Sequence, residues 1–127
     1  MIGIDLVSID RIKKFKDKFG EKALKKFLDD EEINLANSSE SIAGFWAAKE
    51  AVSKALGLGI CADCSFFDIK IYKDKKNKPS FLLSKRLIEK YKIIDLDLSI
   101  THDRGFAIAV AHLHSLEEET KQLFFDK

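Results

Sequence analysis

The chain has 127 residues, of which 34% are charged and 46% apolar, with a formal net charge of +1. That length holds one domain with one core, and the composition excludes a disordered chain. No apolar run approaches the ~20 residues of a membrane-spanning helix, the N-terminus MIGIDLVSID lacks the basic start and long apolar stretch of a signal peptide, and the net charge does not point to nucleic acid, so a cytoplasmic location is expected.

In chain order, Met1 to Val7 alternates Ile2, Ile4 and Leu6 with Gly3, Asp5 and Val7, the period of a short strand. Asp5 therefore points away from the face that carries the isoleucines. An aspartate in an apolar strand needs a partner if it is buried. A metal, a basic residue such as Arg11, or a wet sheet face would each satisfy it. Asp10 is read as the cap of a helix RIKKFKDKF, with Ile12, Phe15 and Phe19 on one face. Gly20 breaks that helix, and Ala23, Leu24, Phe27 and Leu28 supply the apolar face of its continuation. From Arg11 to Lys26 there are eight basic residues (Arg11, Lys13, Lys14, Lys16, Lys18, Lys22, Lys25, Lys26) against Asp17 and Glu21, a local charge of +6. Such a face attracts an acidic partner, or is simply a solvated lysine face. The aromatic residues that would stack on nucleic-acid bases are not interleaved on its polar side.

Asp29 to Glu32 begins a short helix with acids in its first turn, as the helix dipole favours. Asn37, with Glu40 three residues on, reads as the N-cap of a long helix to about Leu56. Ile42, Phe45, Val52 and Leu56 supply its buried side, Trp46 its flank, and Ala43, Ala47, Ala48, Ala51 and Ala55 allow close packing. Within it, WAAKEAVSKALG stacks Trp46, Glu50 and Lys54 at i, i+4 spacing, and Gly57 falls where a helix ends. That edge suits a metal ion and a phosphate together. The plainer reading is an exposed Glu–Lys pair, worth a few tenths of a kcal/mol.

Gly57 to Ser65 is a loop containing Cys61 and Cys64 in CADC. No second cysteine pair exists to complete a four-ligand zinc site, so the two are read as small loop residues. Phe66 to Tyr72 and Ser80 to Leu83 form a hairpin across DKKNKP, and Lys85 to Lys92 a short helix. Asp95 to Thr101 alternates Leu96, Leu98 and Ile100 inward with Asp95, Asp97, Ser99 and Thr101 outward. His102 to Gly105 turns the chain. Phe106 to Leu113 is apolar on both faces, as in a central or interface strand. Residues 114–127 are read as a polar tail outside a domain of residues 1–113, with Leu116, Leu123, Phe124 and Phe125 left over.

Three segments, GIDLVSIDRI, FWAAKEAVSKALGLG and LSITHDRGFAIA, stand in an order and spacing that resembles the small bacterial 4'-phosphopantetheinyl transferases, the holo-acyl-carrier-protein synthases. The resemblance implies an α+β fold, an antiparallel β-sheet packed against a long central helix, and homotrimers with active sites between subunits. It implies transfer of the phosphopantetheine arm of coenzyme A to a serine of acyl carrier protein, with release of 3',5'-ADP, in fatty-acid biosynthesis. By the same resemblance Asp5 and Glu50 match metal-binding carboxylates for Mg²⁺, and Lys54 a phosphate-contacting lysine. Gly57 matches a glycine that lets backbone approach coenzyme A. Ser99 and His102 match a turn at the nucleotide, and Lys78 and Pro79 a turn near the adenine. Arg11 matches a basic residue at the carrier-protein docking surface, to which Lys14 is added here. Glu50, directly or through a metal-bound water, is the candidate base. Two departures stand out: Phe45 occupies a position that is often Arg, and Asn77 replaces the glycine usual before Lys-Pro. The rival readings are a non-enzymatic module that binds acidic protein through the lysine-rich helix, and a nucleic-acid binder.

Overall fold

The computed structural model describes residues 1–117 and 122–127. Among the described residues, five strands and five α-helices follow one another as β1 (Ile2–Ser8), α1 (Ile9–Phe19), α2 (Glu21–Leu24), α3 (Asp30–Leu35), α4 (Ser39–Ala55), β2 (Ile69–Lys73), β3 (Pro79–Leu83), α5 (Lys85–Tyr91), β4 (Ile93–Asp103) and β5 (Phe106–Ser115). Strands β1, β5 and β4 form one antiparallel sheet in that order, with β5 central, and β2 and β3 pair as a separate hairpin. The fold is α+β, with α4 lying across one face of the three-stranded sheet.

Small residues set how close the two layers come. Ala47, Ala48 and Ala51 on α4, and Ala107, Ala109 and Ala111 on β5, are all fully buried. Gly3 on β1 completes the seam. A Cβ built on Gly3 would sit 1.9 Å from the Ala51 carbonyl oxygen and 2.6 Å from the Ala55 nitrogen. Strand and helix backbones are in contact there, which only glycine permits.

This arrangement decides the orientation of β1, which the alternation by itself leaves open. Gly3 and Val7 are buried and Asp5 is half-buried on the helix side, while Ile2, Ile4 and Leu6 are 72%, 59% and 58% exposed. The alternation is as read, but the narrow seam admits only glycine, a short polar residue and valine, so the bulky isoleucines take the other face. Val110 and Phe106 on β5 share that uncovered face.

Helix ends also differ locally. Ser8, not Asp10, caps α1: its side chain accepts the Arg11 N–H at 3.2 Å, and Asp10 lies in the first turn. β1 continues to Ser8, so the chain is still extended there. Ser38, not Asn37, caps α4 by accepting the Ser41 N–H at 3.1 Å. Asp29 and Glu32 form a full capping box on α3. Phe66–Asp68 is a 3-10 turn, not strand, because Ser65 caps it and Asp68 accepts a hydrogen bond from the Ser65 N–H. The β4–β5 reversal is tighter than expected. His102 and Asp103 are paired strand residues, and only Arg104 and Gly105 turn, both at positive φ. The tail lies partly outside the described residues; β5 itself runs through Ser115.

One buried ion pair locks the elements around α4. Lys49, fully buried, donates to Glu32 Oε1 at 2.9 Å, to the Phe27 carbonyl at 2.6 Å and to the Phe66 carbonyl at 3.0 Å. All three ammonium donors are thereby used. The second Glu32 oxygen accepts the Ile71 N–H at 2.9 Å. The spacing of WAAKE suggested a lysine on a helix; only packing reveals that it is a core residue joining α3, α4, the 3-10 turn and β2.

Candidate active site

Asp5 reaches the site from β1, Glu50 and Lys54 from α4, and Arg11 from α1. Asp5 Oδ1 lies 2.8 Å from Lys54 Nζ, which also donates to the Ile4 carbonyl at 3.2 Å. The aspartate side chain is 13% exposed and the lysine 49%. Asp5 thus pairs with Lys54 and not with Arg11. The Glu50 carboxyl is held above its ordinary range, first by burial and then by the negative charge of Asp5, against the opposing pull of Lys54 and Arg11. Two carboxylates of one sign share a half-buried edge, and their cations are a lysine that can swing away and an arginine.

Gly57 closes α4. Its N–H donates to the Lys54 carbonyl at 2.9 Å and the Leu58 N–H to the Ser53 carbonyl at 3.1 Å, the paired bonds of a Schellman end, with Gly57 at φ 78°. That conformation is strained for any side chain and leaves backbone open beside Lys54.

Glu40, Ser41, Gly44, Phe45, Lys73, Asn77, Pro79, Ile100 and His102 line a cleft of about 150 Å³. Asn77 holds φ 63°, so it supplies the left-handed turn that glycine would supply. The exposed Lys78 lies between two lining residues, and its backbone N–H donates to Asp74 Oδ1. Phe45 is buried and forms part of the cleft wall, so the departure from Arg falls inside this cleft.

Strand register gives the separation of the two clusters. Asp5 and Ile100 both pair with Ala109 and lie in one row across the sheet. Two inter-strand spacings put their backbones about 10 Å apart. Carboxylates and cleft therefore lie within the span of one extended phosphorylated ligand. Ser99 does not join them. It pairs with Val110, on the uncovered face, whereas His102 pairs with Ala107 on the helix side.

All eight basic residues between Arg11 and Lys26 are exposed. Lys14 makes an exposed i, i+4 pair with Asp10 at 3.0 Å, which leaves the face predominantly positive. Between α1 and α4, Arg11, Ile12, Phe15 and Trp46 line a second cavity of about 240 Å³.

The carboxylate pair, the lysine one turn on, the open helix end and the nearby cleft describe a group-transfer enzyme acting on a phosphorylated ligand. Residues 1–111 match the model of the 4'-phosphopantetheinyl transferase superfamily, and the chain belongs to that family. Its sequence is similar to the holo-[acyl-carrier-protein] synthase of Nautilia profundicola, 59% identical over 113 residues that cover 89% of this chain and 98% of that protein. The crystal structure of Helicobacter pylori holo-[acyl-carrier-protein] synthase in complex with coenzyme A superposes with a TM-score of 0.87 at 52% identity, over 90% of this chain and all of that one. The corresponding enzyme of Neisseria meningitidis superposes at 0.82 and 31% identity, over 90% of this chain and 97% of that one.

Sequence reasoning passed over three contributors to the site. Gly3 sets the distance between Asp5 and α4. Lys49 fixes α4 one residue before Glu50. Lys73 brings a cation to the cleft. Gly3 has a signal in the sequence, a glycine inside a strand, which marks close backbone approach.

Proposed function

We propose that this chain is a holo-[acyl-carrier-protein] synthase, transferring the 4'-phosphopantetheine group of coenzyme A to a serine of apo acyl carrier protein and releasing 3',5'-ADP. The observation that carries the reading is the pairing of Asp5 and Glu50 beside Lys54, about 10 Å from a cleft containing His102, in a chain of this family.

The serine oxygen forms a bond to the β-phosphorus of the coenzyme as the bond from that phosphorus to the oxygen of 3',5'-ADP breaks. Glu50 takes the serine proton as general base. The donor set fits Mg²⁺, a hard cation that takes one or two carboxylates and completes its shell with phosphate and water oxygens. Asp5 and Glu50 would hold it, and a cation between them would relieve the repulsion that raises Glu50. When bound, the ion supplies neutralisation of the pyrophosphate charge. With the ion held, Asp5 would no longer need Lys54, and the half-exposed ammonium would be free to hold the leaving phosphate.

The nucleotide occupies the cleft, with His102 and Pro79 at its walls, Lys78 at its rim, and Gly57 offering backbone toward the phosphates. Lys73 supplies to phosphate the positive charge that Phe45 does not carry. The basic face of α1, with Arg11 and Lys14, receives the acidic carrier protein. The enzyme works as a homotrimer in the cytoplasm, in fatty-acid biosynthesis, with the chain through the end of β5 at Ser115 as its catalytic unit and the residues beyond as a tail. The apolar face of Ile2, Ile4, Leu6 and Val110 supports a subunit interface. Packing a second copy there would also bring Ser99 to a neighbour's coenzyme.

The test is the intact mass of an apo acyl carrier protein after incubation with this chain, coenzyme A and Mg²⁺, with EDTA as control. The expected result is a gain of one phosphopantetheine group that EDTA abolishes. No gain would return the protein to a binding role. Arg11→Glu with Lys14→Glu should raise KM for carrier protein and leave that for coenzyme A; equal effects on both would move the docking face elsewhere.

A further inference from the structure

Cys61 and Cys64 are the chain's two cysteines, and neither the carboxylates nor the nucleotide cleft uses them. They are free thiols that close a two-residue turn. The Cys61 N–H donates to the Cys64 carbonyl at 2.9 Å, and the Cys64 N–H donates back to the Cys61 carbonyl at 3.1 Å. Residues that exchange both bonds across an antiparallel bridge have Cα atoms about 5.5 Å apart and side chains on the same side. A disulfide joins Cα atoms roughly 4.4–6.8 Å apart, so the backbone already stands inside the permitted window. Directly opposed Cβ atoms lie ~4.5–5.5 Å apart and a disulfide needs ~3.5–4.5 Å, which asks about 1 Å of closure. The intervening Ala62 and Asp63 are exposed, and the Asp63 carbonyl accepts from Arg86 at 3.0 Å. Exposure separates the two thiols, since Cys61 is exposed and Cys64 lies in the core. A shared metal is not supported, because no group of three potential ligands forms among the described residues.

We propose that Cys61 and Cys64 form a reversible intramolecular disulfide, with Cys61 as the thiol that meets a low-molecular-weight disulfide and Cys64 as the thiol that resolves the adduct. The Cys61 thiolate attacks one sulfur of the small disulfide, forming a mixed disulfide and expelling a thiolate, which takes the proton that Cys61 lost. The Cys64 thiolate then attacks Cys61 Sγ and expels the second small thiolate, which takes the Cys64 proton. Two electrons leave the protein, and the small disulfide departs as two thiols. Burial pushes the Cys64 thiol up to about 11, so the buried Cys64 is a poor first nucleophile toward a small disulfide in solution. A bond that needs local adjustment to close is readily reduced. It would stiffen the loop that runs from Gly57, at the end of α4, to Phe66, whose carbonyl accepts from Lys49.

The experiment follows the intact mass of the full folded chain with time in oxidised glutathione. The wild type should end lighter by two hydrogen atoms and carry no glutathione, and dithiothreitol should restore it. Cys64→Ala, an apolar replacement suited to a buried site, should retain one glutathione; Cys61→Ser should take up none. A wild-type chain that ends as a stable glutathione adduct, as a cross-linked pair of chains, or unmodified under conditions that modify Cys64→Ala would overturn the proposal. So would a Cys64→Ala chain that takes up no glutathione.

Discussion

Replacing Gly3 by alanine tests the most constrained point of the fold. The new Cβ would meet the Ala51 oxygen at 1.9 Å, the Ala55 nitrogen at 2.6 Å and the Ala51 carbonyl carbon at 2.9 Å. All three are backbone atoms, so no rotamer change relieves the overlap. A tolerable carbon–oxygen contact is about 3.3 Å, which requires β1 and α4 to part by about 1.4 Å. Overpacking of a core costs about 1–3 kcal/mol, and a gap of this size forfeits much of the dispersion along the alanine seam beside it. A destabilisation of about 3–5 kcal/mol follows, a fall in melting temperature on the order of 10 °C or more for a domain of this size. Catalysis should suffer beyond the folded fraction. Asp5 is two residues away on the same face, and a shift of about 1 Å in a site costs on the order of 100-fold in rate. Thermal melting and carrier-protein transfer, measured well below the melt, check both expectations. A Gly3→Ala protein that melts within about 2 °C of wild type and transfers at full rate would refute the close contact and its role in setting the carboxylates.

Other perturbations probe separate features. Lys49→Met leaves Glu32 buried without its cation and should cost about 3–5 kcal/mol in urea unfolding. The double change Lys49→Met with Glu32→Gln should recover part of that loss, and a single change costing under about 1 kcal/mol would mean the pair is not desolvated as described. Glu50→Gln should abolish transfer yet raise the melting temperature at pH 7. Its folded pKa lies above the ordinary value of 4.5, so the ionised carboxylate weakens the fold increasingly as pH rises through the raised value, and the difference disappears below about pH 4. A wild type that melts higher than this variant at neutral pH contradicts that sign. Ile4→Lys with Leu6→Lys places charge on the uncovered sheet face and should give monomers by light scattering; an unchanged oligomer would locate the interface elsewhere.

Much of this protein is local in origin. The two-residue period of β1 and β4, the long α4 and its end at Gly57, and the i, i+4 stacking of Glu50 and Lys54 depend on residues a few positions apart. Repeating patterns therefore carry them, and the order of three segments carried the family. The tertiary structure decided which face of each pattern is used. The alternation of Ile2, Ile4 and Leu6 with Gly3, Asp5 and Val7 does not say which face is covered; the Gly3 contact with α4 turns the isoleucines outward, since a strand in backbone contact with a helix has no room for branched side chains. Asp5 found its partner in Lys54, forty-nine residues away, which spacing along one element does not encode. Lys49 looked like any helical lysine until Glu32, Phe27 and Phe66 closed over its ammonium. Ser99 and His102 lie three residues apart in an extended strand and so point to opposite faces, one toward the helix and one away from it. In each case the deciding quantity is the distance between chain segments remote in sequence, set by how small the residues in the seam between them are.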